Sequence, residues 1–240
     1  MNLIIDVGNT QTKLAVFDGS GKIVFKKAIK KLSLVLLKKF FQEYDISASI
    51  FSSVAGSDKA IMSYLKKHPH FILFTHKTRV PVKNLYLTPA TLGRDRLANA
   101  VGAAWLFAKK NCLVVDAGTC IKFDFVNAKG EYIGGAISPG IQMRYHALHT
   151  FTAQLPLLKP QPHVKLTGNT TASAIVSGVQ NGALSEMEHV IFQYKKQYKP
   201  LKIVVTGGDQ GLFANRIKSH IFAAPDLTLI GLNQILENNK

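Results

Sequence analysis

Only two cysteines, Cys112 and Cys120, occur among the 240 residues, and neither sits in a CxxC or Cys/His ligand spacing. A disulfide framework is thereby excluded, and both thiols are expected to pack as small hydrophobes. Long apolar runs are missing too: the longest near-apolar stretch, Leu97 to Ala108, is too short to span a bilayer. In the opening MNLIIDVGNT, Asp6 interrupts what would have to be the apolar core of a signal peptide. These absences predict a soluble, cytoplasmic protein without a membrane partner. No G-x-x-x-x-G-K-[ST] is present, so any ATP site is not a P-loop. The eight histidines show no pair at ligand spacing, since His146 and His149 stand three apart with no nearby carboxylate, which argues against a structural zinc.

Acidic residues are scarce, 14 against 30 Lys and Arg, for a net charge of +16. The excess is concentrated in residues 1–110, with 18 basic and 6 acidic side chains, whereas 111–240 carries 12 and 8. It lies mostly in lysine pairs such as Lys26-Lys27 and Lys66-Lys67, without the aromatic interleaving of a base-stacking platform. A solvated basic face is favoured over a nucleic-acid groove. With 47% hydrophobic and 18% charged residues, the chain is expected to form one or two ordinary folded domains.

The sequence repeats itself once. Leu3-Ile-Ile-Asp-Val-Gly8 matches Leu113-Val-Val-Asp-Ala-Gly118 at an offset of 110 residues, and each copy continues into an alternating strand, a turn and a third strand. After the first meander the pattern predicts a helix over 34–44, a strand over 48–54, a helix over 59–68 and a strand over 71–75. A helix opens near Leu92–Asp95 and ends before Lys109. In the second half, helices are expected at 171–193 and 211–219, a buried strand at 201–206, and a strand or turn at 227–230. The result is an α/β fold of two duplicated lobes, 1–110 and 111–240, with a cleft between them.

Each Asp-x-Gly ends a buried strand and is followed by hydroxyl or amide residues. Such a hairpin can hold nucleotide phosphates through backbone N–H groups. Glycine permits close approach, Asn9, Thr10 and Thr119 add donors, and Asp6 or Asp116 can order a hydrated cation, with Lys13 adding positive charge.

Several motifs extend the pattern over nearly the whole chain. They are Asp6-Val-Gly-Asn-Thr10 with Lys13, Ser52-Ser-Val54, Gly93-Arg-Asp-Arg96-Leu-Ala-Asn-Ala100, Asp116-Ala-Gly-Thr119, Gly134-Gly-Ala-Ile-Ser-Pro-Gly140, Thr171 with Ala174-Ile-Val-Ser-Gly178, Thr206-Gly-Gly208, and Pro225-Asp-Leu-Thr-Leu with Gly231-Leu232. In this order and spacing the sequence resembles the type III pantothenate kinases of the actin-like ATPase and sugar-kinase superfamily, whose lobes are ribonuclease-H-like. The resemblance implies phosphorylation of pantothenate by ATP, the first step toward coenzyme A.

Residue by residue, the resemblance implies that Asp95 is the general base. Asp6, Val7, Gly8, Asn9, Thr10, Gln11, Thr12, Lys13 and Thr119 match ATP contacts. Tyr86, Gly93, Arg94, Asp95, Arg96 and Thr171 match pantothenate contacts, and Gly207-Gly208 the adenosine motif. It further implies Mg²⁺, a monovalent cation (K⁺ or NH₄⁺) bound at Asp116, and a homodimer with a shared active site. Independently of the resemblance, one carboxylate beside two arginines suits phosphoryl transfer, which needs positioning, charge compensation and a proton acceptor.

Two positions depart from the family pattern. Lys122 stands where small or hydroxyl residues are usual, and its ammonium either faces solvent or approaches the phosphates and alters cation dependence. Near Ser173 the family commonly has an acidic residue. Two rival readings are a ribonuclease-H-like nucleic-acid enzyme, which needs more converging carboxylates than the first lobe has, and a non-catalytic transcription accessory factor of the same family.

Overall fold

The computed structural model of the chain describes residues 1–54, 56 and 58–240. Its first elements are β1 (Asn2–Val7), β2 (Thr12–Phe17), β3 (Ile23–Ile29), α1 (Leu34–Glu43), β4 (Ala48–Ser53), α2 (Lys59–Leu65), β5 (Phe71–Leu73), β6 (Lys83–Asn84) and α3 (Arg94–Leu106). Then follow β7 (Asn111–Ala117), β8 (Cys120–Val126), β9 (Glu131–Pro139), α4 (Ile141–Thr150) and α5 (Thr171–Gln197). Finally come β10 (Leu201–Thr206), α6 (Gln210–Phe213), β11 (Phe222–Ala223) and α7 (Leu227–Glu237). The fold is α/β, as the alternation in the sequence predicts. Two compact units are formed, 1–108 with 130–132 and 226–240, and 109–129 with 133–225. No helix of the described residues is long and apolar enough to cross a membrane.

In the first unit five strands lie in the order β3-β2-β1-β4-β5. β1 runs antiparallel to β2 and parallel to β4. Its continuous apolar run has a simple cause: both sheet faces are covered. Leu3, Ile5, Leu14 and Val16 pack against Leu37 and Phe40 of α1 and Ile61 and Leu65 of α2. Ile4, Ala15 and Ile50 on the other face meet Leu97 and Val101 of α3 and Leu232 and Ile235 of α7. Asn2 Nδ2 donates to Asn233 Oδ1 at 2.8 Å, and Thr228 Oγ1 to Asn99 Oδ1 at 2.7 Å, so the buried amides of this face are partnered.

The final helix corrects the strand or turn expected at 227–230. Gly231 sits inside α7. A Cβ there would lie 1.8 Å from the Ala98 carbonyl oxygen, and one on Gly102 would lie 2.6 Å from the Leu227 carbonyl oxygen. The two glycines let α3 and α7 cross backbone to backbone. Leu227, Leu229, Leu232, Ile235 and Leu236 are thereby buried to 1% exposure or less. Each contributes about 1.5–3 kcal/mol of transfer free energy.

The second unit repeats the meander: β7 is antiparallel to β8, with β9 beside β8, and β10 and β11 add parallel strands on the other side. Leu113, Val115, Phe123 and Ile203 pack against Ile141 and Tyr145 of α4 and Val179, Ala183 and Met187 of α5. α4 left no periodic signal in the sequence because only Ile141 and Tyr145, one turn apart, are buried along it. The helix expected over 211–219 stops at Phe213, since Ile217 turns into the core and Arg216 donates to Asn181 at 2.6 Å. α5 is longer than its pattern and opens with a capping box in which Thr170 Oγ1 accepts from Ser173 N and Ser173 Oγ accepts from Thr170 N. That box gives Ser173 a structural role at the helix start. Cys112 is fully buried and burial pushes its thiol up to about 12, consistent with an inert packing residue.

Candidate active site

The first Asp-x-Gly turn joins β1 to β2. Its loop, Gly8-Asn9-Thr10-Gln11, is closed by the Gly8 N–H donating to the Gln11 carbonyl at 3.0 Å. Asn9, Thr10 and Gln11 are exposed at its tip; Asp6, Val7 and Gly8 are half-buried; Thr12 is buried at the start of β2. Lys13 stands directly across from Asp6 in the antiparallel register, and Ser52 of β4 lies beside Asp6 on the other side. Ser52 Oγ is fully buried and has no hydrogen-bond partner among the described residues. Lys13 also borders a cavity of about 180 Å³ with Lys26, Lys27 and Asp226, the last two-pronged to Lys26 at 2.8 Å. A short, basic hairpin with an exposed amide-rich tip is suited to polyanions.

The Gly93-Arg-Asp-Arg96 motif forms the first turn of α3, with Gly93 as N-cap. A carboxylate at this end is stabilised by the helix dipole. Asp95 folds back toward the cap, so that a Cβ on Gly93 would lie 2.7 Å from its Oδ1. Arg94 donates through Nη1 to the Ser53 carbonyl, which ties the helix start to the end of β4. Arg96 is 4% exposed and its guanidinium lies over the Tyr86 ring, 5.6 Å from the centroid, while Tyr86 tilts against buried Tyr132 at 6.2 Å. A cavity of about 220 Å³ opens here, bordered by Val54, Thr75, His76, Thr91, Gly93 and Arg94. Of the two arginines, Arg94 borders that space, while Arg96 is held beneath the aromatic ring.

The second Asp-x-Gly turn lies in the second unit, where three loops meet. Gly118 N–H donates to the Cys120 carbonyl at 3.1 Å, and Gly140 N–H to the Thr119 carbonyl at 3.2 Å. A Cβ on Gly140 would lie 2.1 Å from the Gly118 carbonyl oxygen, and one on Gly207, at φ +98°, 2.2 Å from that of Ala117. The glycines of the second Gly-rich strand end and of Thr206-Gly-Gly208 thus close around residues 117–119. Arg144 holds the first of these loops by donating to the Pro139 carbonyl at 2.8 Å and to Ser138 Oγ and Glu186. Asp209 caps the second loop, and burial pushes its carboxyl up. Neither Arg144 nor Asp209 is singled out by sequence; of the Arg144 partners only Glu186 lies far along the chain. Thr119 is exposed on this surface, and Thr171 is exposed at the first position of α5.

Asp116 is 9% exposed and pairs in register with Lys122. The Lys122 Nζ lies 2.7 Å from Asp116 Oδ2. A carboxylate oxygen that already accepts an ammonium does not offer the open oxygen cage a separate potassium ion requires, so the residues present do not fit one.

Residues 2–193 match the sequence model of the type III pantothenate kinases. The chain belongs to the type III pantothenate kinase family. Among curated relatives, the type III pantothenate kinase of Phocaeicola vulgatus is 44% identical over 240 residues, covering 100% of this chain and 99% of that protein. That of Cytophaga hutchinsonii is 42% identical over 239 residues, covering both chains fully. Among solved structures, a Baf family transcriptional activator from Campylobacter jejuni aligns with a TM-score of 0.62 at 22% identity, over 99% of this chain and 98% of that one. An activator of 2-hydroxyisocaproyl-CoA dehydratase from Clostridium difficile, with bound ADPNP, gives 0.56 at 14% identity over 98% and 93%. At those identities the structures establish a shared fold, that of the actin-like ATPases and sugar kinases, and the family model and full-length relatives establish membership of the type III pantothenate kinases.

Proposed function

We propose that this chain is a cytoplasmic pantothenate kinase, which transfers the γ-phosphoryl group of ATP to the primary hydroxyl of pantothenate and so opens coenzyme A synthesis. The observation that carries the reading is a single carboxylate, Asp95, set at the N-terminus of α3 between an arginine bordering a cavity and an arginine fixed under Tyr86, in a chain of this family. Asp95 accepts the proton of the attacking hydroxyl. Arg94 holds the pantothenate carboxylate, and Arg96 adds a buried positive charge beneath Tyr86. Gly93 borders the same cavity as Arg94, and Tyr86 lies against Arg96.

Asp6 to Lys13 and Thr119 address the ATP phosphates through backbone N–H groups, hydroxyls and the Lys13 ammonium. Phosphoryl transfer from ATP needs a divalent cation, and Asp6, with the unpartnered Ser52 hydroxyl beside it, supplies oxygen donors of the kind Mg²⁺ takes. A divalent cation held by these donors would supply charge neutralisation for the transferred phosphoryl group.

Gly93→Ala is expected to lower kcat roughly tenfold to a hundredfold, because the new methyl displaces the Asp95 carboxylate. The same change should move Tm by less than about 2 °C, since the displaced atom is the end of a side chain. Unchanged turnover would place the carboxylate outside the reaction.

We further propose a homodimer in which Thr171 of the partner subunit completes the pantothenate pocket. Asp95→Asn and Thr171→Ala proteins, each nearly inactive, are mixed under conditions of demonstrated subunit exchange. About a quarter of wild-type activity should return, because half of the dimers are mixed and each holds one intact site of two. No recovery would reject the shared site and leave the kinase reading intact. That reading itself stands or falls on ATP-dependent formation of phosphopantothenate by the purified wild-type chain.

A further inference from the structure

The two hairpins share more than Asp-x-Gly. In each, a lysine one strand over faces the aspartate: Lys13 opposite Asp6 and Lys122 opposite Asp116. In the second hairpin the pair is nearly buried, with side chains 16% and 13% exposed for Lys122 and Asp116, and the ammonium rests on the carboxylate at 2.7 Å. Ile121 and Phe123 on either side of Lys122 point into the core, which fixes the lysine to the opposite face of β8, the one Asp116 occupies. An ammonium held this far out of water is retained only where its charge is compensated. A dissolved cation at the same carboxylate would stand within a few ångströms of Nζ and be repelled.

We infer that Lys122 is a built-in monovalent cation: its ammonium supplies, at the second hairpin, the positive charge that a dissolved potassium or ammonium ion would otherwise bring. This rests on the kinase reading given above. Turnover should then be indifferent to the monovalent salt, and Lys122 should be a positioning residue whose loss creates a cation requirement. Lys13 occupies the equivalent register position opposite Asp6 in the first hairpin.

The test compares rates in choline chloride, potassium chloride and ammonium chloride at equal ionic strength and constant Mg²⁺. Product is quantified by chromatography, so the salt touches only this protein. Wild-type rates should agree within about twofold across the three salts. Lys122→Ser should fall about tenfold or more in choline chloride and recover with saturating potassium or ammonium, because a dissolved ion can now reach Asp116. Its melting temperature should likewise rise in potassium chloride relative to choline chloride, while that of the wild type does not. Lys122→Met keeps the bulk without the charge and should lose activity in every salt.

A wild-type rate that climbs tenfold with potassium overturns the inference, as does a Lys122→Ser protein fully active in choline chloride. If no protein forms phosphopantothenate in any salt, the kinase reading fails instead, and the melting temperatures still decide whether Lys122 excludes a cation. Should Lys122→Ser fail to fold, the wild-type salt series and Lys122→Met decide.

Discussion

Asp95→Asn should lower turnover by about a hundredfold or more, while ATP still raises the melting temperature as it does for the wild type. The carboxamide is nearly isosteric and remains an acceptor at the helix start, but it cannot take a proton from the attacking hydroxyl. A hundredfold loss corresponds to about 2.7 kcal/mol of transition-state stabilisation, within the range ascribed to a general base. The cost in stability is far smaller. Asp95 is the one acidic residue in the first turn of α3, and its interaction with the helix dipole is worth about 0.3–1 kcal/mol. Because Arg94 still donates to the Ser53 carbonyl and Arg96 still lies over Tyr86, the frame around position 95 survives the change. Steady-state kinetics and melting curves on the same preparation check both halves. Near-normal turnover would remove Asp95 from the chemistry.

The second large effect is on folding. Gly231→Ala places a methyl carbon 1.8 Å from the Ala98 carbonyl oxygen and 2.7 Å from its carbon, and backbone atoms cannot swing aside. α3 and α7 must separate, which opens the apolar layer between Leu97, Val101, Leu232 and Ile235. Overpacking of this kind costs about 3 kcal/mol, or roughly 6–12 °C in Tm for a chain of this size. Ala98→Gly should not rescue it, since the obstacle is the carbonyl and not the alanine methyl. A Tm within about 2 °C of wild type would show that the crossing is looser than described. Activity should fall along with stability, because Ala98 lies one turn beyond Asp95 on the same helix.

The parts legible in sequence were those written in local pattern. The Asp-x-Gly repeat announced both meanders, because a buried strand, a tight turn and an alternating strand leave signals within twenty residues. The opening of α3 was readable from Gly93 and the apolar spacing that follows. What escaped depended on contacts distant in sequence. The helix through residues 227–237 escaped because the reason that Gly231 is glycine is Ala98, on another helix. α4 hid because only Ile141 and Tyr145 face the core. Ile217 and Arg216 end α6 early through partners on α5 and in the core. In the candidate site, the hairpins and the Gly93–Arg96 turn were visible from sequence. The clamp formed by Arg144 and the raised carboxyl of Asp209 were not, since each is set by loops brought together only in the folded unit.

The return of α7 to the first unit bears on how the protein is made. As a ribosome releases the chain in order, strands β1 to β5 and helix α3 emerge long before residues 226–240, yet one face of their sheet is covered by those last residues. Until they arrive, Ile4, Ile50 and Val101 form an uncovered apolar surface of the kind that favours aggregation. Residues 109–129 and 133–225 hold a core of their own between β7, β8, β10 and helices α4 and α5. The nascent chain is therefore expected to consolidate its middle first and its beginning last. Loss of Ile235 and Leu236 would damage the first unit rather than the second.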